Sequence, residues 1–187
     1  MDFTNKRVLI TGGSRGIGRA TAIAFAEAGA RVAINFHADK NAAAQAIEML
    51  PGEGHFAVRA DISHPEAVEQ LVNAAVQEME GLDILVNNAG VEDRKPVLDW
   101  TPEDWDRHLS INLKGAFFLA QRVARRMVAE GIQGRIINIS STHESRPKSG
   151  SALYNISKAG MAMMTRSLAQ ELAPKGIMVN GLIPGAI

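Results

Sequence analysis

The chain has 187 residues, of which 46% are hydrophobic and 21% charged, the profile of an ordinary soluble globular protein. Lys and Arg total 20, as do Asp and Glu, so the net charge is zero and no basic excess suggests nucleic acid. The absence of cysteine excludes disulfides, thiolate catalysis and cysteine-ligated metals. The polar N-terminus predicts no signal peptide, and no apolar run reaches the roughly 20 residues that span a bilayer. We therefore expect a cytoplasmic protein with no membrane or nucleic-acid partner.

Six short apolar segments alternate with longer segments of helical pattern. Their length and their content of Val and Ile predict strands buried on both faces of a sheet. The predicted strands are Arg7–Thr11, Arg31–Phe36, His55–Ala60, Asp83–Val86, Arg135–Ser140 and Ile177–Leu182. Strands joined by crossover helices pair in parallel, because each helix returns the chain to the same edge of the sheet.

Helical patterns fill the intervals between these strands. In Pro65–Met79 the apolar residues fall on one helical face, and Ser63 with Glu66 predicts a capping box at its start. Thr101 before Pro102 marks another helix start, because proline at the first helical position loses no hydrogen bond.

This alternation predicts the fold class. We expect an α/β protein with a doubly wound parallel sheet of the Rossmann type and helices on both faces. No linker, low-complexity stretch or internal repeat interrupts the chain, so residues 1–187 are predicted to form a single dinucleotide-binding domain.

A glycine-rich turn, Thr11 to Gly18, lies between the first predicted strand and the first helix. A pyrophosphate needs close approach of the backbone and free N–H donors at a helix N-terminus, and glycines permit both. The spacing is G-x-x-x-G-x-G, which differs from the general G-x-G-x-x-G pattern. A purely structural turn is the alternative, but the strand before and the helix after favour a dinucleotide site.

The end of the second strand bears on the choice between NADP and NAD. An acidic residue is expected there in an NAD site, but Ile34–His37 contains none, and Asp39 lies beyond it. Arg15 in the turn could pair with a 2′-phosphate, and His37 could assist. The sequence therefore favours NADP, with NAD as the alternative if both side chains are merely solvated.

Tyr154 and Lys158 are four residues apart in a predicted helix, Ser151–Leu172, and this spacing places them on one face. An ammonium beside a phenol favours the phenolate, so we expect Lys158 to lower the pKa of Tyr154 and allow proton transfer at working pH. Tyr154 is the only tyrosine in the chain. Ser141, at the end of the fifth strand, could hold a substrate oxygen; without Tyr154 it would be interpreted as a strand end.

Other polar residues follow strand ends, where the ligand crevice of a parallel sheet lies. Asn87–Gly90 could bind a ribose or shape the crevice, and Asp61, followed by Ile62, could accept a hydrogen bond from an adenine or be a turn residue. Asn112 lies inside a helical pattern, Trp105–Arg126, where asparagine is a poor helix former, and such local conflicts often mark sites.

Together these motifs resemble the short-chain dehydrogenase/reductase family over Lys6 to Ile187. The resemblance implies that Tyr154 is the general acid/base, that Ser141 orients the carbonyl, that Lys158 binds the nicotinamide ribose, and that Asn112 anchors a water. The residues expected at the cofactor are Gly12, Ser14, Arg15, Gly16, Ile17, Gly18, Asp61, Ile62, Asn88, Ala89, Gly90, Tyr154, Lys158, Pro184, Gly185 and Ile187.

The resemblance leaves the substrate open. Two segments, Asn87–Glu92 and Ser140–Glu144, are similar to the bacterial glucose 1-dehydrogenase branch, and Glu92, His143 and Glu144 could hydrogen-bond a polyol or be ordinary loop residues. The same scaffold serves 3-oxoacyl carrier-protein reductases. A third possibility is a non-catalytic NAD(P)-binding regulator. The five histidines show no paired ligand spacing, so no catalytic metal is expected.

Two expectations concern assembly and length. The predicted helices Trp105–Glu130 and Ser151–Ala173 bear many small and apolar residues, including Met161, Met163 and Met164. By resemblance they pack against a twofold-related copy in a homodimer or homotetramer. Family members also continue beyond the position of Ile187 with a substrate loop and a further strand, so we expect the native chain to be longer.

Overall fold

The computed structural model describes residues 2–185 and contains one six-stranded parallel sheet. The strands are β1 (Arg7–Thr11), β2 (Arg31–Phe36), β3 (Phe56–Arg59), β4 (Ile84–Asn87), β5 (Arg135–Ile139) and β6 (Met178–Leu182). Their order is β3-β2-β1-β4-β5-β6, with every neighbouring pair parallel. The predicted doubly wound sheet is therefore confirmed, with strand bounds shifted by at most one residue.

The strand order reverses between β1 and β4. The chain first adds β2 and β3 on one side of β1, then returns to place β4 on the other, with Val8 opposite Ile84. Loops leaving the carboxyl ends of β1 and β4 therefore diverge and open a crevice, which is where ligands bind in such sheets. The glycine-rich turn follows β1 and Asn88 follows β4, so both lie at this crevice.

Six α-helices connect and cover the strands. They are α1 (Gly16–Glu27), α2 (Lys40–Glu48), α3 (Pro65–Met79), α4 (Pro102–Leu109), α5 (Ala116–Ala129) and α6 (Ala152–Leu172). Short 3-10 turns occur at Val97–Asp99, Thr142–Glu144 and Ala173–Lys175. Within residues 2–185, no helix is long and apolar enough to cross a membrane.

Two apolar clusters lie on opposite faces of the sheet. Alternate strand residues face opposite sides, so Leu9 packs against α3, α5 and α6, while Val8 and Ile10 pack against α1 and α2. Full burial of a Leu or Ile side chain contributes roughly 1.5–3 kcal/mol relative to exposure. The central strands are sealed on both faces by these clusters, which leaves the loops at the strand ends free to build the site.

The two edge strands depart from the prediction of burial on both faces. In β3 the first three residues are only half-buried and Arg59 is exposed, and in β6 only Val179 is buried. An edge strand has one neighbour and less helix cover, so its side chains reach solvent. Apolar content alone does not distinguish such strands from central ones.

Two predicted helix details had different outcomes. At α4, Thr101 accepts from Asp104 N while the Asp104 carboxylate accepts from Thr101 N, a complete capping box. At α3 the predicted box is wrong: His64 precedes the helix, and the Ser63 hydroxyl donates to Asp61 Oδ1 at 2.8 Å. The Ser63 hydroxyl is thus a donor to a carboxylate instead of an acceptor from the helix N–H groups.

The predicted continuous helix over Trp105–Arg126 is also interrupted. Ser110–Gly115 forms a π-helical segment between α4 and α5, and Asn112 lies in its middle. A Cβ on Gly115 would lie 2.4 Å from Ile62 O, so this segment passes very close to the loop after β3. π-Helical segments occur frequently at functional sites, in agreement with the poor helix propensity of asparagine here.

Candidate active site

The glycine-rich turn brings two backbone segments into direct contact. A Cβ on Gly18 would lie 2.3 Å from Gly12 O, and Gly12 itself has a φ of 63°. Helix α1 begins after Arg15, has no side-chain cap and has no acidic residue in its first turn. Its first N–H groups are therefore available to an anion, so the turn fits a dinucleotide pyrophosphate.

Asn88 holds this turn from the neighbouring strand. Its Nδ2 donates to Thr11 O at 2.9 Å and to Gly12 O at 3.2 Å. In the opposite direction, Thr11 Oγ1 accepts from the main-chain N–H groups of Asn88 and Ala89, both at 3.0 Å. The Asn88 amide therefore shapes the crevice. Thr11 was predicted only as the first residue of the turn and not as a site residue. Its position, a polar residue at the end of a buried strand, is a signal that could have indicated this role.

One cavity, of about 430 Å³, lies beside the turn. Its lining includes nine of the residues predicted at the cofactor: Gly12, Ser14, Arg15, Ile17, Asp61, Ile62, Asn88, Ala89 and Gly90. Gly16 and Gly18 do not line it; Gly18 leaves space for the backbone of Gly12, and Gly16 adopts a positive φ of 54°. The predicted crevice residues from the ends of three strands thus meet at one place.

The cavity end near β2 is lined by His37, Asp39 and Asp61, and His64 lies outside the lining but near Asp61. His37 Nε2 lies 3.5 Å from Asp61 Oδ2, and His64 Nε2 lies 3.8 Å from the same oxygen. Burial acts to raise the pKa of Asp61, but hydrogen bonds from Ser63 and the charges of His37 and His64 hold it below its ordinary value. Asn35 also lines the cavity, is buried, and uses its amide nitrogen to donate to main-chain oxygens, including Ala60 O at 3.0 Å.

A second cavity, of about 270 Å³, adjoins the first and shares Ile17, Asn88, Gly90 and Val91 with it. Ser141, Tyr154 and Lys158 line it. Lys158 Nζ lies 5.5 Å from the centroid of the Tyr154 ring and donates to Ile139 O at 2.7 Å. Pro184 and Gly185 also line this cavity, whereas Ile187 lies outside the described residues.

The pKa of Tyr154 corrects one expectation. Burial raises it above the ordinary value for a phenol, interaction with the Ser141 hydroxyl lowers it, and the charge of Glu92 raises it again. The expected lowering by Lys158 is therefore wrong for the free protein, because burial has the largest effect on this pKa and Lys158 does not lower it. Burial also lowers the pKa of Lys158, to about 8, against the opposing charge of Glu144. Both groups thus favour their neutral forms more than in water.

Asn112 lies behind the cavity and does not line it. Its Nδ2 donates to Val91 O at 2.8 Å and to Ser157 Oγ at 3.1 Å, and its Oδ1 accepts from Val91 N at 2.8 Å. The side chain is fully buried and ties the π segment to the loop after β4 and to α6. Any water bound by Asn112 would therefore have to use its main-chain oxygen.

The three predicted polyol contacts occupy different positions. Glu92 lines the second cavity, with Oε1 accepting from Ser151 Oγ at 3.0 Å. The His143 ring meets the Tyr154 ring edge-on, with centroids 5.7 Å apart. Glu144 does not line the cavity, because its Oε2 accepts from Ser140 Oγ at 2.5 Å. The sequence did not predict these roles of Ser140 and Ser151. Ser140 lies only four residues from Glu144, whereas Ser151 is distant in sequence from Glu92 and no local pattern pairs them.

A buried amide pair supports the site from within the sheet. Asn87 Nδ2 donates to Asn138 Oδ1 at 2.9 Å and to Ala116 O at 3.1 Å, and Asn138 Nδ2 donates to Thr165 Oγ1 at 2.9 Å. These bonds join β4 and β5 to α5 and α6. Within residues 2–185, no group of three or more metal-ligating side chains is arranged to hold an ion.

Residues 6–187 match the family model for short chain dehydrogenases. The chain belongs to this family. It is accordingly an NAD(P)-dependent oxidoreductase of the short-chain dehydrogenase/reductase type, as the relatives below also indicate.

Three curated relatives of this short-chain dehydrogenase differ in substrate. Glucose 1-dehydrogenase 2 of Bacillus subtilis (strain 168) is 36% identical over 189 residues, covering 100% of this chain and 73% of that protein. 3β-Hydroxysteroid dehydrogenase 1 of Eggerthella lenta is 39% identical over 188 residues, covering 100% of this chain and 72% of that protein. The 3-oxoacyl-acyl-carrier-protein reductase of Staphylococcus epidermidis (strain RP62A) is 36% identical over 185 residues, covering 98% of this chain and 75% of that protein.

Two solved structures support the fold and the cofactor class. A short-chain dehydrogenase from Burkholderia cenocepacia J2315 in complex with NADP has a TM-score of 0.94 and 37% identity, covering 100% of this chain and 76% of that one. NAD⁺-bound xylitol dehydrogenase has a TM-score of 0.94 and 33% identity, covering 99% of this chain and 72% of that one. Either nucleotide is therefore consistent with this chain.

Proposed function

We propose that this dehydrogenase moves a hydride between NADP(H) and a carbonyl or secondary-alcohol carbon of a hydroxylated small molecule such as a sugar. The observation on which this rests is that Ser141, Tyr154 and Lys158 line one cavity that adjoins the glycine-rich turn. The arrangement puts a proton donor within reach of a substrate oxygen at the end of the cofactor crevice.

In the proposed reaction the nicotinamide, when bound, supplies or accepts the hydride. The Ser141 hydroxyl orients the substrate oxygen, and the Tyr154 hydroxyl gives that oxygen its proton during reduction or removes it during oxidation. The Lys158 amine stabilises the phenolate that reduction leaves behind and donates to the ribose. Asn112 holds α6 against the loop after β4, which keeps these groups in register.

A hydroxylated substrate is supported by Glu92. Its carboxylate lines the cavity and is fixed by Ser151, and an ionised carboxylate has further lone pairs that can accept a substrate hydroxyl. Among the relatives, one is named a glucose dehydrogenase and another a xylitol dehydrogenase. Reduction of 3-oxoacyl thioesters is the alternative, with a relative at the same identity as the glucose enzyme.

The substrate assignment is tested with a panel run with both cofactors in both directions. The panel contains glucose, other aldoses and polyols, a 3-hydroxysteroid and a 3-oxoacyl thioester. We expect the highest kcat/KM on a sugar or polyol. A clear preference for the thioester would replace this proposal with the reductase alternative, and nucleotide binding without turnover of any compound would favour a non-catalytic regulator.

The NADP preference is tested by Arg15→Ala. Arg15 and His37 both line the cavity near β2, and a charge-assisted hydrogen bond to a 2′-phosphate contributes roughly 1.5–3 kcal/mol. We expect NADPH affinity to fall about 10- to 100-fold while NADH affinity changes little. Dissociation constants from nucleotide fluorescence measure this, with Arg19→Ala, one turn further along α1 and outside the cavity lining, as the control. Wild-type protein that binds NADH as tightly as NADPH contradicts the assignment.

We also propose that the protein forms a homodimer or homotetramer through the exposed face of α5 and α6. An apolar groove of about 920 Å³ lies there, lined by side chains that include Phe117, Val128 and Met163. These three are among the exposed large apolar residues. Of the three methionines noted in the sequence, Met161 lies in the core, Met164 is mostly buried but lines the groove, and Met163 is exposed there. An exposed apolar groove can mark a protein–protein interaction site.

Light scattering tests this assembly. We expect the wild-type mass to be at least twice 20.1 kDa at micromolar concentration, and Met163→Glu to weaken association because it would bury a charge in the groove. Met49→Glu, at an exposed methionine next to α2, is the control. A wild-type mass of 20.1 kDa would remove the proposal.

A further inference from the structure

Lys158 is a buried amine with few hydrogen bonds to the protein. Nζ donates a hydrogen bond to Ile139 O at 2.7 Å and lies 3.9 Å from the Met161 sulfur, a weak acceptor. The residue is only 3% exposed. A buried ammonium without a nearby negative charge tends to lose its proton, so the charged form of Lys158 requires a counter-charge.

The Glu144 carboxylate is hydrogen-bonded to the residue that follows the carbonyl contacted by Lys158. Ser140 follows Ile139 in the chain, and its Oγ donates to Glu144 Oε2 at 2.5 Å. Ser140 is 5% exposed and is anchored on its other side by a main-chain bond to Leu182 O at 2.8 Å. The peptide between Ile139 and Ser140 is thus held between the amine and the carboxylate.

The segment that follows Ser140 closes into a short turn, Thr142–Glu144. Glu144 N donates to Ser141 O at 3.0 Å, and Ser141 Oγ accepts from His143 N at 3.2 Å. This turn sets the orientation of the Ser141 hydroxyl and the edge-on contact of His143 with Tyr154. The Glu144 carboxylate is therefore linked through Ser140 to the peptide that Lys158 contacts, and through the turn to Ser141 and Tyr154.

We propose that Glu144 is a positioning residue, whose carboxylate is the counter-charge of Lys158 and whose bond with Ser140 holds the Ser141–His143 turn against Tyr154. The proposal rests on the proposed function of the Tyr154–Lys158 pair. Burial lowers the pKa of Lys158 to about 8, and the Glu144 charge acts in the opposite direction, keeping the amine protonated over more of the pH range.

Other ionisable groups near the pair act on a different atom. Glu92, in the loop after β4, raises the pKa of Tyr154 and lies 3.6 Å from the Arg94 guanidinium. His143 contacts the Tyr154 ring from the turn after β5. Glu144 therefore acts on the lysine and Glu92 on the tyrosine, and mutation can separate the two effects.

Two variants separate the effect of the Glu144 charge from the effect of its hydrogen bond with Ser140. Glu144→Gln removes the charge and keeps an oxygen acceptor for Ser140, whereas Ser140→Ala removes the hydrogen bond and keeps the charge. Each is compared in the wild-type and Lys158→Met backgrounds by thermal melting between about pH 6.5 and 10, without nucleotide or substrate. We expect Glu144→Gln to lower the melting temperature near neutral pH only when Lys158 is present. Ser140→Ala should lower it equally in both backgrounds.

The pH profile of kcat/KM supplies the second measurement. Loss of the Glu144 charge should move the limb assigned to Lys158 about one pH unit lower, and Ser140→Ala should leave that limb in place. Equal melting losses for Glu144→Gln in both backgrounds, with an unshifted limb, would overturn the proposal. If no substrate is turned over, the proposed function fails, but the melting comparison still decides the role of Glu144.

Discussion

Tyr154→Phe is expected to abolish turnover and leave nucleotide affinity nearly unchanged. The substitution removes only the hydroxyl whose proton is transferred, and a positioned acid or base typically accelerates a reaction by about 10²–10⁴-fold. Initial rates with the best substrate of the panel and a dissociation constant for the nucleotide measure the two effects. A variant that retains near-normal kcat rules out Tyr154 as the acid/base.

The single tyrosine provides a control for this variant. Because Tyr154 is the only tyrosine among the 187 residues, phenolate absorbance during a pH titration reports this one group. Burial raises its pKa, so the free wild-type protein should ionise above pH ~10, and the signal should vanish in Tyr154→Phe. Unchanged melting of the variant would show that lost activity reflects lost chemistry.

Lys158→Met is expected to stabilise the protein while destroying its activity. The folded pKa of about 8 lies below the ordinary value of 10.5, so folding disfavours the protonated amine. Below pH 8, burying the protonated amine costs about 3 kcal/mol of folding free energy, which the methionine variant avoids. The variant also loses about 1 kcal/mol, because Ile139 O no longer has its hydrogen-bond donor. The net gain of about 2 kcal/mol corresponds to a rise in melting temperature of about 4–8 °C near neutral pH.

The pH dependence of this gain has a definite sign. Between pH 8 and 10.5 the unfolded chain binds more protons than the folded one, so wild-type stability rises with pH in that window. The advantage of Lys158→Met should therefore be greatest below pH 8 and shrink as the pH rises toward 10.5. A constant advantage at all pH values, or none, would show that the amine is not buried at a cost. A functional residue that reduces stability is a common feature of active sites.

The local sequence determined much of this protein. Short Val- and Ile-rich segments predicted the six strands within one residue at each end, because fully buried strands must be apolar and brief. The glycine spacing predicted the turn after β1, since Gly18 has no space for a Cβ beside Gly12. The four-residue spacing of Tyr154 and Lys158 predicted their common helix face, because helix geometry depends only on separation along the chain.

Only the tertiary structure decided the features that depend on distant residues. Burial raises the pKa of Tyr154 despite the nearby lysine, and Val91 and Ser157 occupy the Asn112 amide; neither effect follows from local spacing. Ser151, far from Glu92 in sequence, similarly fixes that carboxylate at the cavity. Burial, hydrogen bonding and the local electrostatic environment all depend on the neighbours that the fold brings to a residue. The linear sequence specifies which groups are present, but it does not specify which of them come into contact.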